Sequence, residues 1–93
     1  MATEFEWNDE KALSNRLKHG VGFEEASTGF YDALSITIPD PLHSVGESRH
    51  VLIGQSSTGR LLVVVHGDKG AKIRIISART ATRRERRIYE ETN

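Results

Sequence analysis

The sequence predicts one α+β domain in which an antiparallel sheet of four or five strands is combined with two N-terminal helices and one C-terminal helix. The length of 93 residues is that of a single domain, and we assign residues 1–93 to it. Helical signals lie at the two ends of the chain. Between them, short β-branched runs are joined by segments of hairpin length. The predicted order of elements is β-α-α-β-β-β-β-α.

The N-terminal third begins with a short aromatic strand at 5–7. Asn8 is a favourable N-cap residue and Gly20 is a typical residue at a helix C-terminus, so a helix is expected between them. Leu13 and Leu17 are four residues apart and define the apolar face of this helix.

The remaining elements are a second helix, four strands and a last helix. We predict the second helix at 22–30 and the strands at 34–38, 50–55, 61–65 and 73–76. Apolar residues of both parities fill 63–65, so this run should be the central strand, covered on both faces. Thr82 and Glu85 fit a capping box that opens the last helix at 83–91.

Composition excludes several classes of function. The chain has no cysteine, which excludes disulfides and thiolate zinc sites. No His-x-x-x-His, GxGxxG or GxxxxGK[ST] motif occurs, and we expect neither a metal nor a cofactor. No apolar run approaches the roughly 18 to 20 residues that span a bilayer, and the first residues lack the pattern of a secretory signal. We therefore expect a cytoplasmic protein with no membrane partner.

The formal charge at pH 7 is zero, but the charges are unevenly distributed. Residues 1–47 carry nine acidic and three basic side chains, whereas 48–93 carry four acidic and ten basic ones, so the halves are near −6 and +6. A neutral chain of this kind can still present a basic face to a polyanion.

Seven basic residues fall within sixteen positions of the C-terminal half. They are Lys72, Arg74, Arg79, Arg83, Arg84, Arg86 and Arg87. Arg83 and Arg84 lie in a first helical turn, where the dipole disfavours cations by roughly 0.3 to 1 kcal/mol each, which indicates that the charge is needed. The backbone N–H groups of that turn would favour a phosphate or carboxylate. For any single arginine, a solvated surface role is the alternative.

Strand alternation gives a first expectation for how this basic segment is oriented. It places Lys72 and Arg74 on one face of the sheet and Ile73, Ile75, Ser77 and Arg79 on the other.

Two other groups of polar residues could carry chemistry. Lys18 and His19 are explained equally well as a helix end or as groups that transfer protons and bind phosphate. Glu47 and His66 lie near predicted strand ends, where polar groups emerge from a sheet. A lone histidine in that place is more often hydrogen-bonded than catalytic.

Motifs of one known family are spread along nearly the whole chain. They are Trp7-x-x-x-Lys11-x-x-x-Asn15-x-x-Lys18-His19-Gly20-Val21-x-Phe23-x-x-Ala26, Glu47-x-Arg49, Ile53-Gly54, Leu61-Leu62-Val63-Val64-Val65-His66, Ile73-Arg74-Ile75-Ile76-Ser77-Ala78-Arg79 and Arg83-Arg84-Glu85-Arg86-x-x-Tyr89. Together they resemble the BrnT family of bacterial toxins. The sequence departs at Asn8, where Asp is common, and at His50, where an aromatic residue is common.

The resemblance implies a RelE-like fold and a type II toxin that cleaves RNA without a metal and inhibits translation and growth. It also implies that a BrnA-type antitoxin binds and silences the chain in a hetero-oligomer, with operator DNA reached only through that antitoxin. Such cleavage uses the 2′-OH as nucleophile and needs a base, an acid and cations for the extra charge of the phosphorane.

These requirements assign roles to the candidate residues. We expect Arg74 and Arg79 to hold the scissile phosphate, because arginine is bidentate and stays protonated. The proton-transfer candidates are Lys18 and His19 or His66, with Glu47 orienting one of them. The RNA-binding candidates are Lys72, Arg83, Arg84 and Tyr89. For Tyr89, packing of the last helix on the sheet is an equal alternative.

A non-catalytic binding module is the competing hypothesis for the whole chain. In that case the arginines bind an acidic protein partner or nucleic acid, and the histidines are structural. Salt-dependent RNA binding would not separate the two, since any basic face shows it.

Overall fold

A computed structural model of the protein describes residues 3–40 and 48–93. It contains five strands, three α-helices and one 3-10 turn. They are β1 (Glu4–Glu6), α1 (Asp9–His19), α2 (Phe23–Thr28), the 3-10 turn (Gly29–Tyr31), β2 (Ile36–Pro39), β3 (Arg49–Gln55), β4 (Leu61–Lys69), β5 (Lys72–Thr80) and α3 (Arg83–Thr92). The predicted α+β class and element order are confirmed. In this part of the chain no helix is long and apolar enough to cross a membrane.

The strands form one sheet in the order β1-β5-β4-β3-β2. β2 to β5 pair antiparallel, as predicted, and the hairpin spacing of β3–β4 and β4–β5 is confirmed. β4 is the central strand, as expected. β1 instead pairs parallel to β5, with Phe5 opposite Ile73. Its direction was not predictable from spacing, because most of the chain separates β1 from β5 and no hairpin constrains the pair.

The two faces of the sheet carry different cores. We call the face against α1 and α2 the helix-covered face. Its buried residues are Val21, Phe23, Ala26, Leu52, Leu62, Val64, Ile75 and Ala78. The opposite side, the α3 face, has a smaller buried cluster of Ile53, Leu61 and Val63, against which Ala81 and Tyr89 pack. Alternation along β4 thus divides its apolar run between two cores.

The prediction that Leu13 and Leu17 form the apolar, core-facing side of α1 is wrong. Leu13 and Leu17 are 61% and 80% exposed, whereas Asn15 is buried. Asn15 Nδ2 donates to the carbonyl oxygens of Val21 at 3.0 Å and Ala78 at 2.8 Å, and its Oδ1 accepts from the Ala78 N–H at 3.1 Å. The amide therefore joins α1 to β5 through polar contacts, which are favourable in a buried setting because every partner is satisfied.

A bulge in β5 overturns the simple alternation predicted for that strand. Val65 lies opposite Ser77 and His66 lies opposite Ile75, so β5 has one extra residue, Ile76, at this point. Consequently Ile75 and Ala78 point to the same helix-covered core although they are three residues apart.

Candidate functional site

The β5 bulge decides how the two central arginines are placed. Arg74 precedes Ile75 and Arg79 follows Ala78, and both of those apolar residues point to the helix-covered face. Alternation on each side of the bulge therefore puts Arg74 and Arg79 together on the α3 face. The register agrees, since Arg79 lies opposite Val63 of the α3-face cluster. Arg79 was expected on the other face, and the bulge is the physical reason for the difference.

Arg79 is held by a carboxylate from α3. Its Nη1 donates to Glu85 Oε1 at 2.7 Å, and its Nη2 donates to Glu85 Oε2 at 2.8 Å. The hydrogen bond from Arg79 lowers the pKa of Glu85 to about 2, so the pair is ionised near neutral pH. Nη1 also donates to the Thr80 carbonyl at 3.3 Å. Among the described residues, Nε–H and the second hydrogen of Nη2 have no partner, so one edge of the guanidinium can accept a further anion.

Glu85 has a second contact that fixes its position. Its Oε1 accepts the backbone N–H of Thr82 at 2.8 Å, and the Thr82 hydroxyl accepts the Glu85 N–H at 3.2 Å. These two bonds are the predicted capping box. The start of α3 and the Arg79 guanidinium are therefore aligned by the same carboxylate.

Arg74 lies beside β1. Its Nε and Nη2 donate to Glu6 Oε2 at 3.3 and 3.2 Å, and Lys69 Nζ lies 3.5 Å from the same oxygen. Since the parallel pairing places Glu6 opposite Arg74, β1 supplies the counter-charge that the sequence did not reveal.

A groove follows the edge of β5 beside α1. One depression, of about 350 Å³, is lined by Arg74, Lys11 and Ile76 together with Glu6, Trp7, Asn8 and Ile75. The next, of about 220 Å³, is lined by Lys18, His19, Lys11 and Ile76 with Ser14, Asn15 and Ser77. Because Lys11 and Ile76 line both, the two depressions are adjacent, and together we call them the edge groove. Lys18, His19 and Arg74 therefore all line the edge groove.

His66 is remote from that surface. Its ring is 5% exposed on the helix-covered face, with its centroid 4.7 Å from that of Phe30 and 5.7 Å from that of His50. Neither ring nitrogen has a hydrogen-bond partner within residues 3–40 and 48–93. Burial, followed by the neighbouring His50, lowers the pKa of His66 to about 4, which keeps the ring neutral near pH 7. The hydrogen bond expected of a structural histidine is therefore not found in this part of the chain.

The remaining candidates lie at the margin of the α3 face. Lys72, Arg83 and Arg84 are exposed, and the latter two occupy the first turn of α3. Tyr89 packs against the α3-face cluster, and its hydroxyl donates to Asp32 Oδ2 at 2.6 Å. That bond raises the pKa of Tyr89 to about 12. Tyr89 thus docks α3 on the sheet, which was one of its two expected roles.

Glu47 lies outside the described residues. Conversely, sequence reasoning gave no site role to Lys11, which lines the edge groove, or to Glu85, which holds Arg79. Lys11 could have been found from its spacing, since a residue seven positions before Lys18 lies on the same side of a helix. Within the described parts of the chain, no cluster of three or more His, Cys, Asp or Glu side chains could hold a metal ion.

The fold of this chain matches that of a solved structure. The structure matches the crystal structure of the Brucella abortus ribonuclease toxin BrnT with a TM-score of 0.68 and 20% identity, over 88% of this chain and 100% of that one. At this identity the likeness establishes the fold alone.

The family follows from the sequence. Residues 7–85 match the model of the family described as "Ribonuclease toxin, BrnT, of type II toxin-antitoxin system". The chain belongs to this family, and membership of a type II system implies an antitoxin partner. A comparison with curated proteins finds no match.

Proposed function

We propose that this chain is a metal-independent endoribonuclease that cuts RNA by attack of a 2′-OH on the adjacent phosphate, and thereby inhibits translation and growth. The observation that carries the proposal is the β5 bulge, which places Arg74 and Arg79 on one face of the sheet. Membership of a family described as ribonuclease toxins supports the reaction class.

The arginines supply the positive charge that the reaction needs. When the 2′-oxygen attacks, the phosphorus becomes five-coordinate and its equatorial oxygens gain charge, which fixed N–H donors stabilise. Glu85 binds the Nη1 and Nη2 end of Arg79, and the Nε edge remains available to a phosphate oxygen. Because Glu85 is itself bound to the start of α3, the guanidinium is oriented before RNA arrives.

Lys18 and His19 are the stronger candidates for proton transfer. Both are exposed and line the edge groove that Arg74 also lines. A proton must leave the 2′-OH and another must reach the departing 5′ oxygen, and these two side chains can divide those tasks. Glu47 is proposed to orient one of them. His66 is the weaker candidate, because its buried ring faces the other core.

Outside the reacting phosphate, RNA binding is assigned to the margin of the α3 face. Lys72, Arg83 and Arg84 are exposed cations that can contact neighbouring phosphates. Because the Tyr89 hydroxyl already binds Asp32, any RNA contact of Tyr89 would use its ring.

The partner proposed for this chain is a BrnA-type antitoxin that forms a hetero-oligomer with it in the cytoplasm. Operator DNA would be contacted only through that antitoxin. The exposed arginines of α3 favour an acidic segment of the antitoxin as the competitor of RNA.

Product analysis tests the proposal. The purified chain should cut RNA in EDTA and leave 2′,3′-cyclic phosphate ends, and co-purified antitoxin should prevent it. Arg74→Ala with Arg79→Ala should lower the rate of cutting about a thousandfold. Arg16→Ala, which changes an exposed arginine that does not line the groove, should leave the rate unchanged. RNA that is bound but never cut by a folded chain would favour the binding module instead.

A further inference from the structure

The outer side of α1 carries an apolar patch that the fold does not use. Leu13 and Leu17 are largely exposed, and with Glu10, Ser14 and Lys18 they line an open depression of about 470 Å³. We call these five residues the leucine patch. Two leucines on adjacent turns of one helix, unburied while Asn15 is buried on the other side, indicate a face that another helix covers.

The charges of the leucine patch are arranged symmetrically. Glu10 lies at one end and Lys18 at the other, eight residues apart, with Ser14 midway between them. If a second α1 lies antiparallel on the patch, with a twofold axis near Ser14, Glu10 of each copy faces Lys18 of the other. An isologous contact requires this self-complementarity, since one patch must match itself. The antiparallel arrangement also aligns the opposite ends of the two helix dipoles.

We propose that the leucine patch is a self-association surface whose occupant is the same patch of a second copy of this chain. Leu13 and Leu17 of the two copies form the apolar centre, and two Glu10–Lys18 pairs flank it. Lys18 lines both the leucine patch and the edge groove. The proposal nevertheless stands apart from the proposed reaction, because its test measures association of the chain and not RNA cleavage.

The size of the patch sets the strength of the contact. α1 has 11 residues and is about 16 Å long. Such a contact buries less than the roughly 800 Å² per partner of a standard stable interface. The expected dimer is therefore weak, with a Kd on the order of 100 μM, and salt should weaken it further.

Charge reversal provides the test. Sedimentation equilibrium of the purified chain, without antitoxin, should show a concentration-dependent monomer and dimer. Glu10→Lys and Lys18→Glu should each raise the dimer Kd by about tenfold or more, because each places like charges opposite one another. An equimolar mixture of the two variants should associate again, because both pairs across the contact between unlike variants then join a lysine to a glutamate.

Controls separate the contact from a loss of folding. Asp9→Lys makes the same charge change in the same helical turn but outside the leucine patch, and should leave the dimer Kd close to that of the wild-type chain. Leu17→Asp should abolish the dimer while circular dichroism stays unchanged, because Leu17 is not buried in the fold.

Two results would overturn the proposal. One is a chain that stays monomeric up to about 1 mM, ten times the expected Kd. The other is failure of the mixed charge-reversal variants to associate when both are folded. If Leu17→Asp released the antitoxin from a chain that never self-associates, the patch would belong to the antitoxin and not to a second copy.

Discussion

The two faces of the sheet are held in different ways. The helix-covered face buries eight residues of one core under α1 and α2, whereas the α3 face buries three, and α3 itself has no buried residue. The candidate arginines Arg74 and Arg79 lie on the second face. Most of the buried core thus lies on one side of the sheet and the two candidate arginines lie on the other, as expected where a fold keeps a polar surface open to a ligand.

The strongest test of this division is loss of the arginine pair. Arg74→Ala with Arg79→Ala should lower the rate of RNA cleavage by about a thousandfold, since removal of one oxyanion donor alone typically costs about 10² to 10³. The melting temperature should change little, because both ion pairs lie near the surface. Cleavage of a defined RNA measures the first effect, and a thermal melt measures the second. An equal loss of folding would contradict the division.

The helix-covered face should be sensitive to acid through His66. The pKa of this ring is lowered to about 4 in the folded chain from an ordinary 6.5, so the unfolded chain binds more protons between these values. Stability is therefore full above about pH 6.5 and falls as the pH drops towards 4, by about 3 kcal/mol in total.

Chemical denaturation from pH 7 to pH 4 measures that loss. His66→Phe should flatten the dependence, while His19→Gln, which removes an exposed histidine, should leave it. If the stability of His66→Phe still fell with pH as it does in the wild-type chain, another titrating group would be the main cause of the pH dependence.

A smaller loss is expected where α1 meets β5. Asn15→Ala removes three hydrogen bonds and leaves the backbone groups of Ala78 buried without that partner, at a cost of about 2 kcal/mol in the free energy of unfolding. Leu13→Ala, two residues away but exposed, should cost little. Urea unfolding measures the free energy of unfolding of both variants. If the two variants lost comparable stability, packing of α1 and not the Asn15 amide would hold the helix on the sheet.

The α3 face should respond least to loss of a single contact. Tyr89→Phe removes only the hydroxyl that donates to Asp32, while the ring still packs on the sheet, so a loss of about 1 kcal/mol is expected. Asp32→Asn provides the complementary variant, and a double-mutant cycle isolates the bond. A large fall in RNA cleavage without a change in stability would instead give Tyr89 a direct role with RNA.

Local signals predicted the elements well but not their orientations. Asn8, Gly20 and the Thr82 and Glu85 capping box act within a few residues, and the structure bears out each of them. Leu13 and Leu17 misled because helical periodicity assumes that the apolar side of a helix faces the core. Here a hydrogen-bonded Asn15 faces β5, and no local rule anticipates that choice.

The candidate site was recovered only in part. The arginine-rich segment and the Lys18-His19 pair are visible in the sequence, and the structure brings Lys18, His19 and Arg74 to one groove. His66 is polar like Lys18 and His19, but its ring is buried beside Phe30 of the 3-10 turn. The sequence did not reveal this burial, because it depends on a contact between residues far apart in the chain.

The sequence by itself determined the α+β class, the element order, the central position of β4 and the unequal distribution of charge, because periodicity, caps and composition act locally or additively. Tertiary structure decided the parallel direction of β1, the burial of Asn15 and the common face of Arg74 and Arg79. Each of these depends on contacts between residues far apart in the chain. A single extra residue in β5 exchanges the faces of every side chain that follows it, and only the pairing with β4 reveals where that residue lies.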